Sequence, residues 1–421
     1  MLPDWVCGEM SENAASHPLA GFRRYFWRPP RAHGEIIAER SVSFLELFYD
    51  LVYVVVVAQA AHHLAEHVTW RGVGEFAVVF GLIWIAWING TMYHDLHGRG
   101  DGRTRTFVFI QMGLLVLLAV FTANATGDDG AAFAIVYTLF LAVITWLWYT
   151  VRRQDDEQWR SMTTPYLTGM VISIAVVGTS AFFSDDIRTA MWACLVIGWV
   201  VGLAILDRVV GSDQDVGRAA TDAMIERFGL LVIIVLGEVV VGVVGGITDA
   251  GRSPIAIVTG MIALMIGFAF WWTYFDFVGG RRMRPTSGAF STWILGHLPV
   301  TMAVASSGAA MVSLIENASD DRAPVETAWL LAGSVAVGLL ALTVIMSALE
   351  DSERLARVYR PVAIALVGAA LVSLVIGLIR PAPWALAALL VATLMSVWFF
   401  AIIRWLVATD PDEAVPALDR S

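Results

Sequence analysis

The sequence predicts an all-α fold: a polytopic helical membrane protein of about 12 transmembrane helices, arranged as two six-helix parallel repeats with both termini in the cytoplasm. Composition is the first reason. Apolar residues make up 58% of the 421 residues and charged residues only 15%. The mean hydropathy of +0.70 belongs to a chain with more apolar surface than one soluble core could bury. Segment length is the second reason, since the chain breaks into apolar stretches of the roughly 20 helical residues that cross a hydrocarbon core about 30 Å thick. The third is that two stretches 180 residues apart begin alike, ELFYDLVYVVV from Glu46 and ERFGLLVIIVLGE from Glu226.

In chain order the expected spans are 45–65, 75–93, 106–124, 131–151, 163–183, 190–210, 226–247, 255–277, 289–314, 327–349, 361–380 and 384–407. Runs such as LVYVVVV and MGLLVLLAV lack the two-residue alternation of a barrel strand, so helices are expected rather than a closed β-barrel. The chain contains no lysine, and its 27 basic residues are all Arg. Assigning connections alternately from an inside N-terminus leaves only Arg71, Arg188, Arg252, Arg322 and Arg380 outside, and a wrong span count would scramble so regular a bias. The expected organisation is a cytoplasmic lead over 1–40, a first membrane repeat over 41–210, a second over 211–407 and a cytoplasmic tail over 408–421. The lead is polar and Arg-rich without an apolar h-region, which reads as a cytoplasmic segment rather than a cleaved signal peptide. Its Phe22, Tyr25, Phe26 and Trp27 are placed to lie along the membrane.

Several classes find no support. The net charge of −10 does not call for a basic partner, because Asp128, Asp129, Asp185, Asp186, Glu316, Asp320 and Asp321 fall in short outer loops where solvated acids are ordinary. No basic patch with interleaved aromatics occurs outside the membrane-flanking loops, so nucleic acid is not an expected partner. Cys7 and Cys194 belong to no metal spacing and are assigned no function. Many of the 17 Trp lie near span ends, where indole prefers the interface. No H-E-x-x-H, G-x-S-x-G, Walker or Rossmann pattern occurs, so neither soluble-enzyme chemistry nor a cofactor is expected. The expected partners are the lipid bilayer and a small solute, proton or cation; the residues carry no signal for oligomeric state.

The repeat extends past its opening motif. At an offset of 180, Glu46, Phe48, Leu51, Val52 and Val55 coincide with Glu226, Phe228, Leu231, Val232 and Val235. One residue further in offset, Tyr93-His94-Asp95 coincides with Tyr274-Phe275-Asp276, and Arg103 with Arg284. An even number of spans per half returns the chain to its starting side, which is the parallel-repeat arrangement.

The combination of ELFYDLVYV with the later ERFGLLVIIVLGE, FWWTYFD and HLP resembles the bacterial low temperature requirement protein A (LtrA) family from about Ser41 to the last helix. That resemblance implies a multi-pass protein of the bacterial cytoplasmic (plasma) membrane connected with growth at low temperature. It supplies no biochemical mechanism. Where the family commonly has a second Phe, this chain has Tyr49, which leaves the acids of the motif untouched.

An ionisable side chain at membrane depth costs at least about 2.5–3.5 kcal/mol, so acids there are expected to face a partner, a cavity or a substrate path. Glu46 and Asp50 are four residues apart and share one helix face. Glu238, expected near the midplane beside Gly237, Gly242, Gly245 and Gly246, reads either as a proton or cation site or as a carboxylate held for packing. His297 precedes Leu298-Pro299, where the proline removes a backbone donor and should bend the ninth span; it is a further site candidate or a packing histidine. Asp50, Glu238 and His297 are therefore the candidate ion- or substrate-binding residues, and Glu46, Glu226, Asp95 and Asp276 the candidate structural charge pairs or gate. His62 and His63 read as interfacial, and His94-Asp95-Leu96-His97 is not expected to hold metal, since its repeat mate has no His.

Twelve spans, two halves and buried acids are what a proton- or cation-coupled secondary transporter uses, and this is the expected function, with the substrate unspecified. A cation channel is the alternative, although Leu230 stands where Asp50 would be repeated, so a ring of acids would be incomplete. A non-transporting sensor or lipid-handling protein is the third class.

Overall fold

The computed structural model describes residues 26–33, 35, 42–210 and 221–408. Cys7, Phe22, Tyr25 and the tail from residue 409 lie outside the described residues. The described chain is all-helical, with no strand beyond one isolated bridge between Met283 and Leu349.

Among the described residues twelve helices are long and apolar enough to cross a membrane, the number the hydropathy pattern predicts. They are α1 (Phe44–Glu66), α2 (Trp70–His97), α3 (Gly102–Thr122), α4 (Gly130–Arg152), α5 (Glu157–Ser180) and α6 (Asp185–Val210), then α7 (Asp222–Asp249), α8 (Pro254–Phe277), α9 (Ala289–Glu316), α10 (Val325–Ser347), α11 (Ala356–Ile379) and α12 (Pro383–Ala408). A one-turn helix, Asp351–Arg354, precedes α11. Helix α2 overruns the predicted span at both ends, and α5 and α11 begin several residues before theirs, because turns that leave the hydrocarbon are polar and hydropathy does not register them. Pro361 consequently lies inside α11 rather than at its start. The Arg357 carbonyl that it deprives of a helical donor accepts from Arg404 Nη2 of α12 at 2.9 Å.

Helix α9 is the centre of the bundle, packing on α1, α2, α6, α7, α8 and α10. Around it, α1 packs on α2 and α3, α2 on α6, and α3 through α6 pack in chain order. Helices α7 through α12 pack in the same way: α7 on α8 and α9, α8 on α12, and α9 through α12 in chain order. The two groups meet where α1 lies against α7 and α9. Apolar side chains on the outer helices, among them Phe109, Ile197, Ile364 and Phe399, are exposed, as the lipid-facing surface of such a bundle requires.

At the Arg-rich end, where the odd-numbered helices start, the N-terminal segment crosses the ends of α2 and α3 as a strap. Arg31 donates from its backbone to His97 O (3.1 Å), from Nε to Gly98 O (2.7 Å) and from Nη2 to Asp95 O (3.0 Å), tying the strap to the carbonyls that end α2. The Phe26 ring fills the space a side chain at Gly102 would need. His33 stacks on Trp159 with ring centroids 5.1 Å apart, and its Nδ1 lies 2.6 Å from the buried Asp155, which also accepts from Thr163 Oγ1. Buried polar groups left without a partner cost about 1–3 kcal/mol. Asp155→Ala should therefore speed tryptic cleavage after Arg31 roughly tenfold, read by mass spectrometry of the released peptides; unchanged cleavage would show that the bonds of Arg28, Arg31 and Arg99 hold the strap without Asp155.

Candidate functional site

Helix α1 starts at a capping box: Glu46 N donates to Ser43 Oγ at 3.3 Å while Ser43 N donates to Glu46 Oε2 at 2.9 Å. Glu46 thereby fixes the register of α1 at its entrance. Helix α7 is capped differently, with Met224 N donating to Thr221 Oγ1 (3.0 Å) and the Thr221 hydroxyl donating to Asp95 Oδ1 (2.7 Å) at the end of α2. Because α7 starts at Asp222, Glu226 falls past the cap and is exposed. The glutamate shared by the two motifs thus serves one helix start and not the other.

The same starts place Asp50 and Arg227 about 8–9 Å along their helices. There the two side chains meet across the α1–α7 contact. Arg227 Nε donates to Asp50 Oδ2 at 2.9 Å and Nη2 to Oδ1 at 2.5 Å, a side-on bidentate pair in which Asp50 is 1% exposed and Arg227 0%. Trp87 Nε1 of α2 adds a third donor to Asp50 Oδ1 at 3.0 Å. Such a pair is costly, since the effective desolvation penalty is several kcal/mol per ion even after relaxation. Aromatic rings wall it off: the guanidinium carbon lies 5.9 Å from the Tyr49 centroid, and Phe228 packs on Trp87 at 4.9 Å.

Tyr49 carries the polar cluster onward. Its hydroxyl donates to Gln111 Oε1 of α3 at 3.0 Å and lies 3.2 Å from Tyr53 Oη. It occupies the space a side chain at Gly90 would fill, the Tyr49 hydroxyl standing where a Cβ would go. Among the described residues, Arg227 Nη1, Gln111 Nε2 and Thr91 Oγ1 are buried without a hydrogen-bond partner.

His297 adjoins this cluster through Phe228, whose ring centroid is 4.7 Å away. Its Nδ1 donates to Trp293 O at 2.7 Å, so Nε2 accepts from the Tyr274 hydroxyl at 3.0 Å. Both ring nitrogens are engaged, Nδ1 within α9 and Nε2 in the bond that ties α8 to α9. The ring does not reach for the Leu295 carbonyl that Pro299 leaves without its helical donor.

Glu238 lies elsewhere. It is half-buried, past the middle of α7 toward the opposite end of the bundle, within electrostatic reach of His62 on α1. His62 itself pairs with Glu66 at 3.3 Å. Of the glycines near Glu238, Gly242 and Gly246 serve helix approach and Gly237 and Gly245 do not: a Cβ at Gly246 would fall 3.2 Å from Val312 Cα, and one at Gly308 of α9 3.2 Å from Val239 Cα, whereas one at Gly237 or Gly245 would meet nothing within 4 Å. Asp50 and His297 are therefore neighbours across one ring, and Glu238 is not among them. Asp95 is buried against Thr221, whereas its sequence mate Asp276 is exposed and accepts from Trp398 Nε1 of α12 at 3.1 Å. Among the described residues no three His, Cys, Asp or Glu side chains are grouped so as to hold a metal ion.

Trp87 and Gln111 are not singled out by motif reading, Tyr49 enters it only as a departure from the family pattern, and Arg227 reads from sequence as a span-entrance neighbour of Glu226 rather than as the partner of Asp50. The signal for Arg227 is in the repeat offset. Arg227 stands where the first motif has Leu47, and Asp50 stands where the second has Leu230. The two motifs differ by a reciprocal exchange of opposite charges.

The comparisons with known proteins bear on the whole chain. The family model described as bacterial low temperature requirement A protein (LtrA) matches residues 41–397, which includes every residue of this cluster. An uncharacterised protein, RA0937, of Rhizobium meliloti (strain 1021) is 24% identical over 281 residues, covering 62% of this chain and 66% of its own length. No solved structure matches. A family match over most of the length, joined to a bundle of apolar spanning helices, identifies the chain as a multi-pass membrane protein belonging to the bacterial low temperature requirement A (LtrA) family.

Proposed function

We propose that this protein is a proton-coupled secondary transporter of the bacterial plasma membrane, built from two parallel six-helix halves, with the Asp50–Arg227 pair as its coupling site. The observation that carries the reading is the pair itself: two fully buried charges joining the first helix of one half to the first helix of the other. Replacing a buried pair by apolar side chains is often neutral or stabilising. The equivalent positions of the motifs hold Leu47 and Leu230, so packing at such a site does not call for charge. Intramembrane charges that packing does not need mark ion and proton paths.

The duplicated arrangement is supported by the recurrence, in α7 to α12, of the packing partners seen in α1 to α6. It puts the pair at the α1–α7 contact, where halves that rock against each other would part or close. A proton on Asp50 would remove the charge that holds Arg227 and unlock that contact. The arginine bias supports the strap end as the cytoplasmic one. Transport rather than covalent chemistry is the proposed activity.

The test is proton flux in liposomes containing the full chain and a pH dye. Wild-type protein should dissipate an imposed pH gradient, Asp50→Asn should abolish this, and Glu238→Gln, away from the pair, should produce a smaller loss. Wild-type flux in Asp50→Asn would sink the coupling role. Unitary currents above carrier turnover would sink the carrier.

A further inference from the structure

Side-on pairing with Asp50 uses Nε and Nη2 of Arg227 and leaves Nη1 directed away from the carboxylate. That nitrogen is fully buried and, among the described residues, without a partner. Two more groups share its condition and its neighbourhood. Gln111 Nε2 belongs to the amide whose oxygen accepts from Tyr49, the ring over which the guanidinium lies. Thr91 follows Gly90, the residue against which the Tyr49 hydroxyl packs, and stands one helical turn from Trp87 on the Asp50 side of α2. Arg227, Gln111 and Thr91 are each 0% exposed.

We infer that these groups form a subsite for a compact monovalent anion, and that the anion enters together with a proton. The inference rests on the carrier reading for its transport role, though the binding step stands alone. Every unpaired group here is an N–H or O–H donor, and a guanidinium edge, an amide N–H and a hydroxyl together make a ligand set for an acceptor that brings several lone pairs and a negative charge. An ammonium or metal cation would find no free carboxylate in it. Charge balance then fixes the coupling. In the resting pair Asp50 neutralises Arg227, Glu46 one turn away on α1 is a further acid facing both, and an added anion in a site without water would leave an uncompensated negative charge. A proton on Asp50 gives a neutral acid and frees the Nε/Nη2 edge, so the guanidinium takes the anion as its counter-ion. One proton and one monovalent anion enter, and the net charge of the site is unchanged.

The experiment is proton uptake by the purified full-length protein in weakly buffered detergent solution, with a pH dye, on addition of sodium nitrate, sodium chloride or sodium acetate. Saturable uptake of about one proton per bound anion is expected, differing among the three anions and unchanged when choline replaces sodium. Asp50→Asn should bind the same anion with no proton uptake and with an affinity independent of pH. The isosteric Thr91→Val, which leaves the pair intact, should weaken anion affinity about tenfold by removing one hydrogen bond to a charged ligand. Uptake that follows the cation, or no response to any of the three salts by folded wild-type protein, would overturn the anion subsite. Anion-linked proton uptake in detergent without proton flux in liposomes supplied with the same anion would keep the subsite and refute the carrier.

Discussion

Arg227→Leu alone should destabilise the folded protein by about 3–5 kcal/mol, because it leaves Asp50 buried, charged and with only the Trp87 indole as a donor. Asp50→Leu should do comparable damage by leaving the guanidinium without its counter-charge. The double replacement, Asp50→Leu with Arg227→Leu, should return stability to within about 1 kcal/mol of wild type or exceed it, since burying matched apolar side chains avoids the desolvation penalty of both ions. It would also recreate on each helix the leucine found at the equivalent motif position, Leu230 and Leu47. Denaturant or thermal unfolding in detergent micelles, followed by tryptophan fluorescence, measures the cycle. The diagnostic quantity is the coupling energy, expected to approach the sum of the single losses. Additive losses would mean that the charges support the fold independently, and the pair would lose its standing as a dispensable structural element kept for function. Proton flux in the stable double variant completes the logic: a well-folded but inactive protein separates function from stability at a single pair.

How much of this was legible in the chain depends on which forces act locally. Lipid imposes length and hydropathy on each segment independently of its neighbours, so all twelve helices can be read along the sequence, from Phe44–Glu66 to Pro383–Ala408. Their polar extensions cannot, which is why Trp70 and His97 fall outside the span that hydropathy outlines. Asp50 declares itself as an acid in an apolar helix, but its partner does not. Arg227 sits near a span entrance, where arginine is ordinary flanking charge, and only the packing of α1 against α7 brings the two together. Comparing the motifs for opposite changes at Leu47/Arg227 and Asp50/Leu230 would have found the pair. The role of Glu46 was open to reading as well, since Ser43-Phe-Leu-Glu46 before an apolar run is a capping-box pattern. For His297 the sequence offered only a proline nearby. Trp293 is its i−4 neighbour on α9, but Tyr274 and the Phe228 ring that brings it beside the pair come from two other helices, α8 and α7, whose approach no local pattern encodes.

That approach rests on small residues, and substituting them should have the second large effect. Helices α7 and α9 lie backbone against backbone at Gly246 and Gly308, where an added Cβ would meet Val312 Cα and Val239 Cα, each at 3.2 Å. Backbone cannot swing aside as a side-chain tip can, so Gly308→Leu must push the two helices apart. Overpacking of this kind costs about 1–3 kcal/mol or more. The displaced helix carries Arg227 and Phe228, so the loss should reach the buried pair and abolish pH-dependent flux, although Gly308 touches neither residue. Gly237 and Gly245 supply the control on the same helix. A Cβ at either meets nothing within 4 Å, so leucine there should be tolerated or slightly stabilising, by up to about 1 kcal/mol from helix propensity. Unfolding midpoints of the three variants in one detergent decide the matter. Equal midpoints would mean that α7 and α9 do not depend on close backbone contact, and that the position of Arg227 is fixed by the ion pair rather than by the helices that carry it.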